Sequence, residues 1–268
     1  MKKNSSAQLI ITILVVGWFL VLIMLPIYGI VQEALKNGMG QIIASLITPE
    51  ARHAFLLTFW ITLAVVVINT VFGVIMALVL VKHYFKGKLL IEGLLDLPFA
   101  VSPVVAGFMF IILFGPQGWI GSWFESHGMK IIYALPGMIL VTLFVTIPFV
   151  AREVIPVLRE VGLEQDEAAH VLGASRWQTF WKVTVPSIKW GLIYGITLTV
   201  ARAIGEFGAV IMIGGNIINR TQTATLHIHQ QFTDFEYCGA YSASLLLAIV
   251  SFAILIIMQI IYKRTDVE

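Results

Sequence analysis

The chain has 268 residues, 59% of them hydrophobic and only 12% charged, with a formal net charge of +2. A soluble domain carries about a quarter charged residues, so the composition excludes a soluble protein and leaves no length for a separate soluble domain. The small charge gives no reason to expect nucleic acid as a partner, and the lone Cys238 excludes an internal disulfide.

A membrane-spanning helix needs about 20 apolar residues. Six charge-poor intervals qualify as candidates within a single transmembrane domain, 1–268. The first, 9–30, follows Met1-Lys2-Lys3 and runs free of charge as far as Glu33. A secretory signal has an apolar stretch of only about 7–15 residues and a small-residue cleavage site. This interval therefore reads as an uncleaved span. The second is 54–81, between Arg52 and Lys82, and the third is 97–114, after Asp96. The fourth is 131–151. The third and fourth carry Pro98, Pro103, Gly107, Pro136 and Pro148. Proline removes a helix hydrogen bond, and in a membrane such breaks need neighbours or a polar cavity. These spans are expected to face other helices or a pathway, with ordinary bundle packing as the alternative.

Between the fourth and fifth spans lies a charged stretch, 162–186. Glu164, Asp166, Glu167, Arg176 and Lys182 crowd it. A charge at the bilayer centre costs about 2.5–3.5 kcal/mol even on the mildest scale, so this stretch sits in water. The pattern predicts two short helices. Gly162 releases the chain from the preceding helix, and the acids occupy a first turn, where the helix dipole favours anions. Ala168, Val171 and Leu172 form one apolar stripe, and Gly173 suits a left-handed stop. Ser175 and Gln178 have capping-box spacing. Trp177, Phe180 and Trp181 form a second stripe. Pro186 is expected to end that helix by pushing Val185 out of the helical region. The residues alone leave two readings open: docking into a partner's groove, or resting on lipid headgroups.

The fifth candidate span, 190–214, is interrupted by Arg202 and Glu206 near its middle. Four residues apart, they are expected to share one helix face. Intramembrane charges mark functional sites by default. An arginine fork suits a tetrahedral oxyanion, with Glu206 keeping such a site from binding too tightly. The alternative is a neutralised pair that holds the bundle together. The polar stretch 215–239 follows, containing His227, His229 and the glycosylation-like Asn219-Arg220-Thr221. A lone His-x-His reads as a surface pair rather than a metal site, and a three-residue match carries no weight. The sixth candidate is 241–262.

With the N-terminus in the cytoplasm, Lys2, Lys3, Lys82, Lys86, Lys88, Arg152, Arg159, Arg176, Lys182, Lys189, Lys263 and Arg264 fall inside. Only Lys36, Arg52, Lys130 and Arg220 fall outside. The positive-inside rule favours this orientation, which places both termini and the charged loop in the cytoplasm. No phosphate-binding glycine loop is present: Gly87-Lys88 is followed by Leu89. An ATP-driven mechanism would therefore need ATP bound elsewhere.

The charged stretch resembles the EAA loop of ABC-transporter importer permeases. Glu167-Ala168-Ala169, then Gly173, then Val183-x-Val185-Pro186 keep that family's spacing throughout. Valine replaces its isoleucine and leucine. The run Ala201-Arg202-Ala203-Ile204-Gly205-Glu206-Phe207-Gly208, with Gly214-Gly215-Asn216 following, looks like the sulfate and molybdate branch. The whole chain is similar to the W-type sulfate/thiosulfate permease subunits. The resemblance implies an all-α type I importer (MetI-like) fold of six helices, and a coupling role for Glu167, Ala168, Ala169, Val171, Leu172, Gly173 and Pro186. It implies no catalytic residue, metal or cofactor in this chain, with ATP and magnesium on a partner ATPase dimer. It further implies a T-type permease partner, an extracytoplasmic sulfate-binding protein and an inner-membrane location. A molybdate or tungstate permease working as a homodimer is the alternative within the fold. A secondary transporter or channel working without ATP is the alternative outside it, but no inverted repeat is visible. A membrane scaffold that transports nothing gives no reason for a midplane arginine and glutamate.

Overall fold

The computed structural model describes residues 5–162 and 164–265. In chain order the helices are α1 (Ser5–Leu35), α2 (Met39–Ile47), α3 (Pro49–Lys82), α4 (Lys88–Ala100), α5 (Pro103–Phe114) and α6 (Gly121–Ser126). Then come α7 (Leu135–Val161), α8 (Glu164–Val171), α9 (Arg176–Thr179), a π-helical turn (Phe180–Thr184) and α10 (Val185–Ile204). The chain closes with α11 (Gly208–Gly214), α12 (Ala224–Thr233) and α13 (Tyr237–Thr265). Among the described residues there is no strand.

Among the described residues, five helical segments are long and apolar enough to cross a bilayer, and α4 with α5 makes a sixth if that bent pair counts as one span. The expected third span, 97–114, is not straight. α4 and α5 meet at 113°. Pro103 explains the break, because its ring pushes the preceding residue out of helical geometry. Ser102 accordingly sits at ψ 138, and Val101 before it is extended. α4 carries its charges away from hydrocarbon by pairing them with α7: Arg159 reaches Glu92 at 2.8 Å, and Arg152 pairs with Asp96.

The expected fifth span, 190–214, also differs. The helix begins earlier, so that Arg176–Ile204 forms one 29-residue segment, and it stops at Ile204 rather than Gly214. Pro186 does not end the helix before it. Val185 is helical at φ −62, ψ −46, and its amide bonds back to the Phe180 carbonyl. That five-residue reach is a π turn. An α-helical proline would strike the carbonyl four residues earlier, and the wider π turn moves that carbonyl out of the way.

The core lies where α3, α7 and α10 pack together. Val74, Ala77, Leu80, Val150, Val154 and Ile188 form one buried cluster. Val65, Met138, Val141, Ala209, Ile213 and Leu226 form the other, around α11 and α12. Close approach of α10 to α7 requires glycine. A Cβ at Gly191 would fall 2.5 Å from the Glu153 carbonyl oxygen, and one at Gly195 would fall 2.8 Å from the Val150 Cα. Several buried polar groups in the core are satisfied within it, although the Thr62 and Ser242 hydroxyls have no hydrogen-bond partner among the described residues. Thr142 and Thr146 donate to carbonyls one turn back, and Asn69 of α3 donates to Thr146 at 2.7 Å. α1 stands outside this core and α13 barely enters it. Their bare apolar side chains suit hydrocarbon surroundings.

Candidate functional site: the charged elbow and the break after the fifth span

The charged stretch forms an elbow whose shape follows from local chemistry. Gly162, at φ +72, ends α7. Glu164, Asp166 and Glu167 then occupy the first turn of α8. At its far end the Ala174 amide reaches back to the Ala169 carbonyl at 2.9 Å, and the Gly173 amide to that of His170. Gly173 sits at φ +87, a region that L side chains rarely adopt. α9 opens with a complete capping box. The Gln178 side chain accepts from the Ser175 amide at 2.9 Å, and the Ser175 hydroxyl accepts from the Gln178 amide at 3.3 Å. Two helices are thus held at a fixed bend by caps on both sides of Gly173.

The tip of this elbow is apolar and uncovered. Val171 is 87% exposed and Leu172 88%, on a stretch whose neighbours are charged. Glu167, Ala168 and Gly173 are exposed as well, Ala169 is half-buried, and Pro186 is exposed further along. Trp177, Phe180 and Trp181 cluster at ring separations of 5.1–6.1 Å, Trp177 stacked on Phe180 and Trp181 edge-on to both. The base of the elbow is tied to the bundle by contacts with no signal in the sequence. Asp166 forms an ion pair with Lys82 at the end of α3, and its other oxygen accepts from the Thr184 hydroxyl at 3.1 Å. Ser187 donates to Gln165 at 3.2 Å.

The second candidate site lies where α10 breaks off. Arg202 is in its last turn, but Glu206 lies beyond the end of the helix, after Gly205. The expectation of one shared helix face is therefore corrected: the pair meets across a break. The Arg202 Nη1 lies 2.7 Å from the Glu206 Oε2. The contact is an ion pair without an aligned N–H, since Oε2 has no hydrogen-bond donor. The Glu206 Oε1 accepts from the Ala209 amide at 2.9 Å, capping α11, and its main-chain carbonyl accepts from the Thr225 hydroxyl at 2.7 Å. Glu206 is buried, with 2% of its side chain exposed, against 32% for Arg202. The two broken spans also meet one another. A Cβ at Gly208 would touch Pro103 at 3.2 Å, and one at Gly107 would fall 2.6 Å from the Met212 Cβ. The arrangement fixes an anion deep in the protein and leaves the cation partly open.

Beyond α11, Gly215 and Asn216 turn the chain in left-handed geometry. Asn216 donates to Gln230 at 2.9 Å and accepts from Gln222 at 3.1 Å. His227 is buried, its Nδ1 3.2 Å from the side-chain Oε1 of Gln222, and burial lowers its pKa below the ordinary histidine range. His229 packs edge-on against Phe207 instead. Among the described residues no three metal-ligating side chains gather.

An all-helical body with several spans, two of them broken at its centre, and a braced apolar elbow defines the membrane-embedded part of a transporter. The chain belongs to the family of binding-protein-dependent transport system inner membrane components, whose model matches residues 69–267. It is 43% identical over 265 residues to the "Sulfate transport system permease protein CysW" of Synechocystis, covering 99% of this chain and 96% of that one. It is 40% identical over 258 residues to the protein of the same name in Escherichia coli K12, covering 93% and 89%. The "Sulfate transport system permease protein CysT" of the same strain is 37% identical over 228 residues, covering 85% and 82%. Among solved structures, a bacterial ABC transporter involved in import of the polysaccharide alginate superposes with a TM-score of 0.81 at 18% identity, covering 98% of each chain. The MetNI methionine ABC transporter in an inward-facing form gives 0.60 at 19%, covering 83% and 97%. The fold is that of the type I ABC importer permeases.

Proposed function

We propose that this chain is the permease subunit of an ATP-driven importer for sulfate and thiosulfate in the cell inner membrane. One observation carries the mechanism: Val171 and Leu172 project almost fully bare from a capped, charged elbow. An apolar tip held rigidly in water is a docking face. Its partner is an ATPase dimer on the cytoplasmic side, the side to which the positive-inside rule assigns the basic loops and both termini. ATP and magnesium bind on that partner. A second, T-type permease completes the pathway, and an extracytoplasmic binding protein delivers the oxyanion. Relatives named as sulfate permeases of two types, W and T, support this composition.

Docking engages Glu167, Ala168, Ala169, Val171, Leu172 and Gly173, and Pro186 lies where the elbow enters α10. Closure of the ATPase dimer displaces the elbow, and the spans rock to open the pathway. Arg202 contacts the passing oxyanion, and Glu206, paired with the guanidinium, keeps the site from binding too tightly. Purification of the complex and uptake of labelled sulfate into proteoliposomes test the reading. Recovery of ATPase, a second permease and ATP-dependent sulfate uptake is expected. Recovery of this permease as a homodimer that prefers molybdate would overturn the substrate assignment. Full uptake without any ATPase would overturn the mechanism.

A further inference from the structure

The Asp166 carboxylate joins three parts of the molecule. It projects from the first turn of α8, inside the elbow. Its Oδ2 pairs with Lys82, the last residue of α3, and its Oδ1 accepts from the Thr184 hydroxyl at 3.1 Å, where the π turn passes into α10. Thr184 is 3% exposed, and the Lys82 and Asp166 side chains are 26% and 17% exposed. The pair is therefore shielded more than a surface ion pair, which contributes little. Beside it, the Ser187 hydroxyl of α10 donates to Gln165. The opposite flank of α8, with Val171 and Leu172, makes no such contact and stays bare. One short helix thus has a docking tip and a tethered base, and α3 and α10, to which the base is tied, both build the core.

We propose that Asp166 is the joint that transmits displacement of the elbow to α3 and α10 together, a positioning residue for transport rather than a docking residue. The proposal rests on the coupling reading of the elbow. Coupling between distant sites requires an element that both sites bias. Apart from the neighbouring Gln165–Ser187 hydrogen bond, α8 connects to the bundle mainly along the chain, through Gly162 on one side and, by way of α9, through the π turn, whose Phe180 packs on the core, on the other. Gly162, at φ +72, is a conformationally permissive link, so the chain alone does not fix the position of α8 against α7. Without the cross-link, α8 could move while the spans stay still.

The test uses the whole complex in proteoliposomes with binding protein and labelled sulfate, measuring uptake and ATP hydrolysis in parallel. Asp166→Asn and Lys82→Gln are expected to leave the complex assembled and ATP hydrolysis within about twofold of wild type. Sulfate moved per ATP falls by roughly tenfold, within the usual range of a coupling between sites. Thr184→Val gives a smaller loss, and Lys82→Arg restores coupling. An unchanged ratio in Asp166→Asn overturns the proposal. Failure of both Asp166→Asn and Lys82→Gln to assemble overturns it also, by making the contact a structural strut. Failure of the underlying coupling reading looks different: Val171→Asp and Leu172→Asp would then still bind the ATPase.

Discussion

Arg202 and Glu206 sit on opposite sides of a helix end, and the guanidinium still lies 2.7 Å from the carboxylate. The break gives the two residues unequal positions. Glu206 caps α11 from a buried site, while Arg202 keeps about a third of its side chain exposed. Because the carboxylate is the more deeply buried of the two, removal of Arg202 alone is the costlier single change.

Arg202→Ala strands a buried carboxylate, and breaking such a pair costs about 3–5 kcal/mol. The single variant is expected to lower the unfolding midpoint of the detergent-purified protein markedly. Adding Glu206→Gln removes the stranded charge and should recover most of that loss without restoring sulfate uptake. A double variant that unfolds as early as the single one would show that the charge is not the cause. One that transports normally would remove Arg202 from the pathway.

Gly173 tests the elbow. No atom lies within 4 Å of a Cβ placed there, so a substitution acts only through the backbone at φ +87. Gly173→Val is expected to insert normally, to strain the bend by about 1–2 kcal/mol, and to abolish ATP-dependent uptake. Gly173→Asn, which tolerates left-handed geometry, should be milder. Equal uptake by Gly173→Val and wild type would show that the bend is not needed.

The α7–α10 contact predicts a position where one methyl group matters. At Gly191 the obstructing atom is a main-chain oxygen of Glu153 at 2.5 Å, which cannot rotate away. Gly191→Ala should destabilise the protein by about 1–3 kcal/mol, the usual cost of overpacking. Gly29→Ala, with nothing within 4 Å, serves as the control. Thermal unfolding in detergent distinguishes them, and matched midpoints would contradict the packing described.

His227 confers a pH dependence of defined sign. Burial lowers its pKa in the folded state, only partly opposed by the charge of Glu50. Just below the ordinary histidine range the unfolded chain therefore binds more protons, and folding stability falls as pH falls through that window. His227→Gln should flatten this part of the profile. An identical acid-side slope in the variant would assign the dependence to other groups.

The elbow was legible because its determinants are close in the chain. Gly162, Gly173 and the Ser175–Gln178 box act on backbone groups a few residues away. Pro186 misled because a π turn can absorb a proline, and the turn itself has no simple periodicity. The end of α10 at Ile204 was hidden for a related reason. Apolar composition continues through Gly214, so hydropathy cannot separate one helix from two. Pro98 and Pro103 suggested breaks, but the 113° turn between α4 and α5 depends on what each helix packs against.

Composition and short-range spacing by themselves determined a helical membrane protein with several spans and a capped, charged elbow, since hydrocarbon forbids unpaired charge and backbone. Tertiary structure alone decided which distant charges meet, and where the near pair sits. Asp166 finds Lys82 across 84 positions of sequence, while for Arg202 and Glu206, whose spacing already offered a pair, α11 and α12 hold the carboxylate beyond the helix end. Such pairings depend on how whole helices pack, and no local preference encodes them.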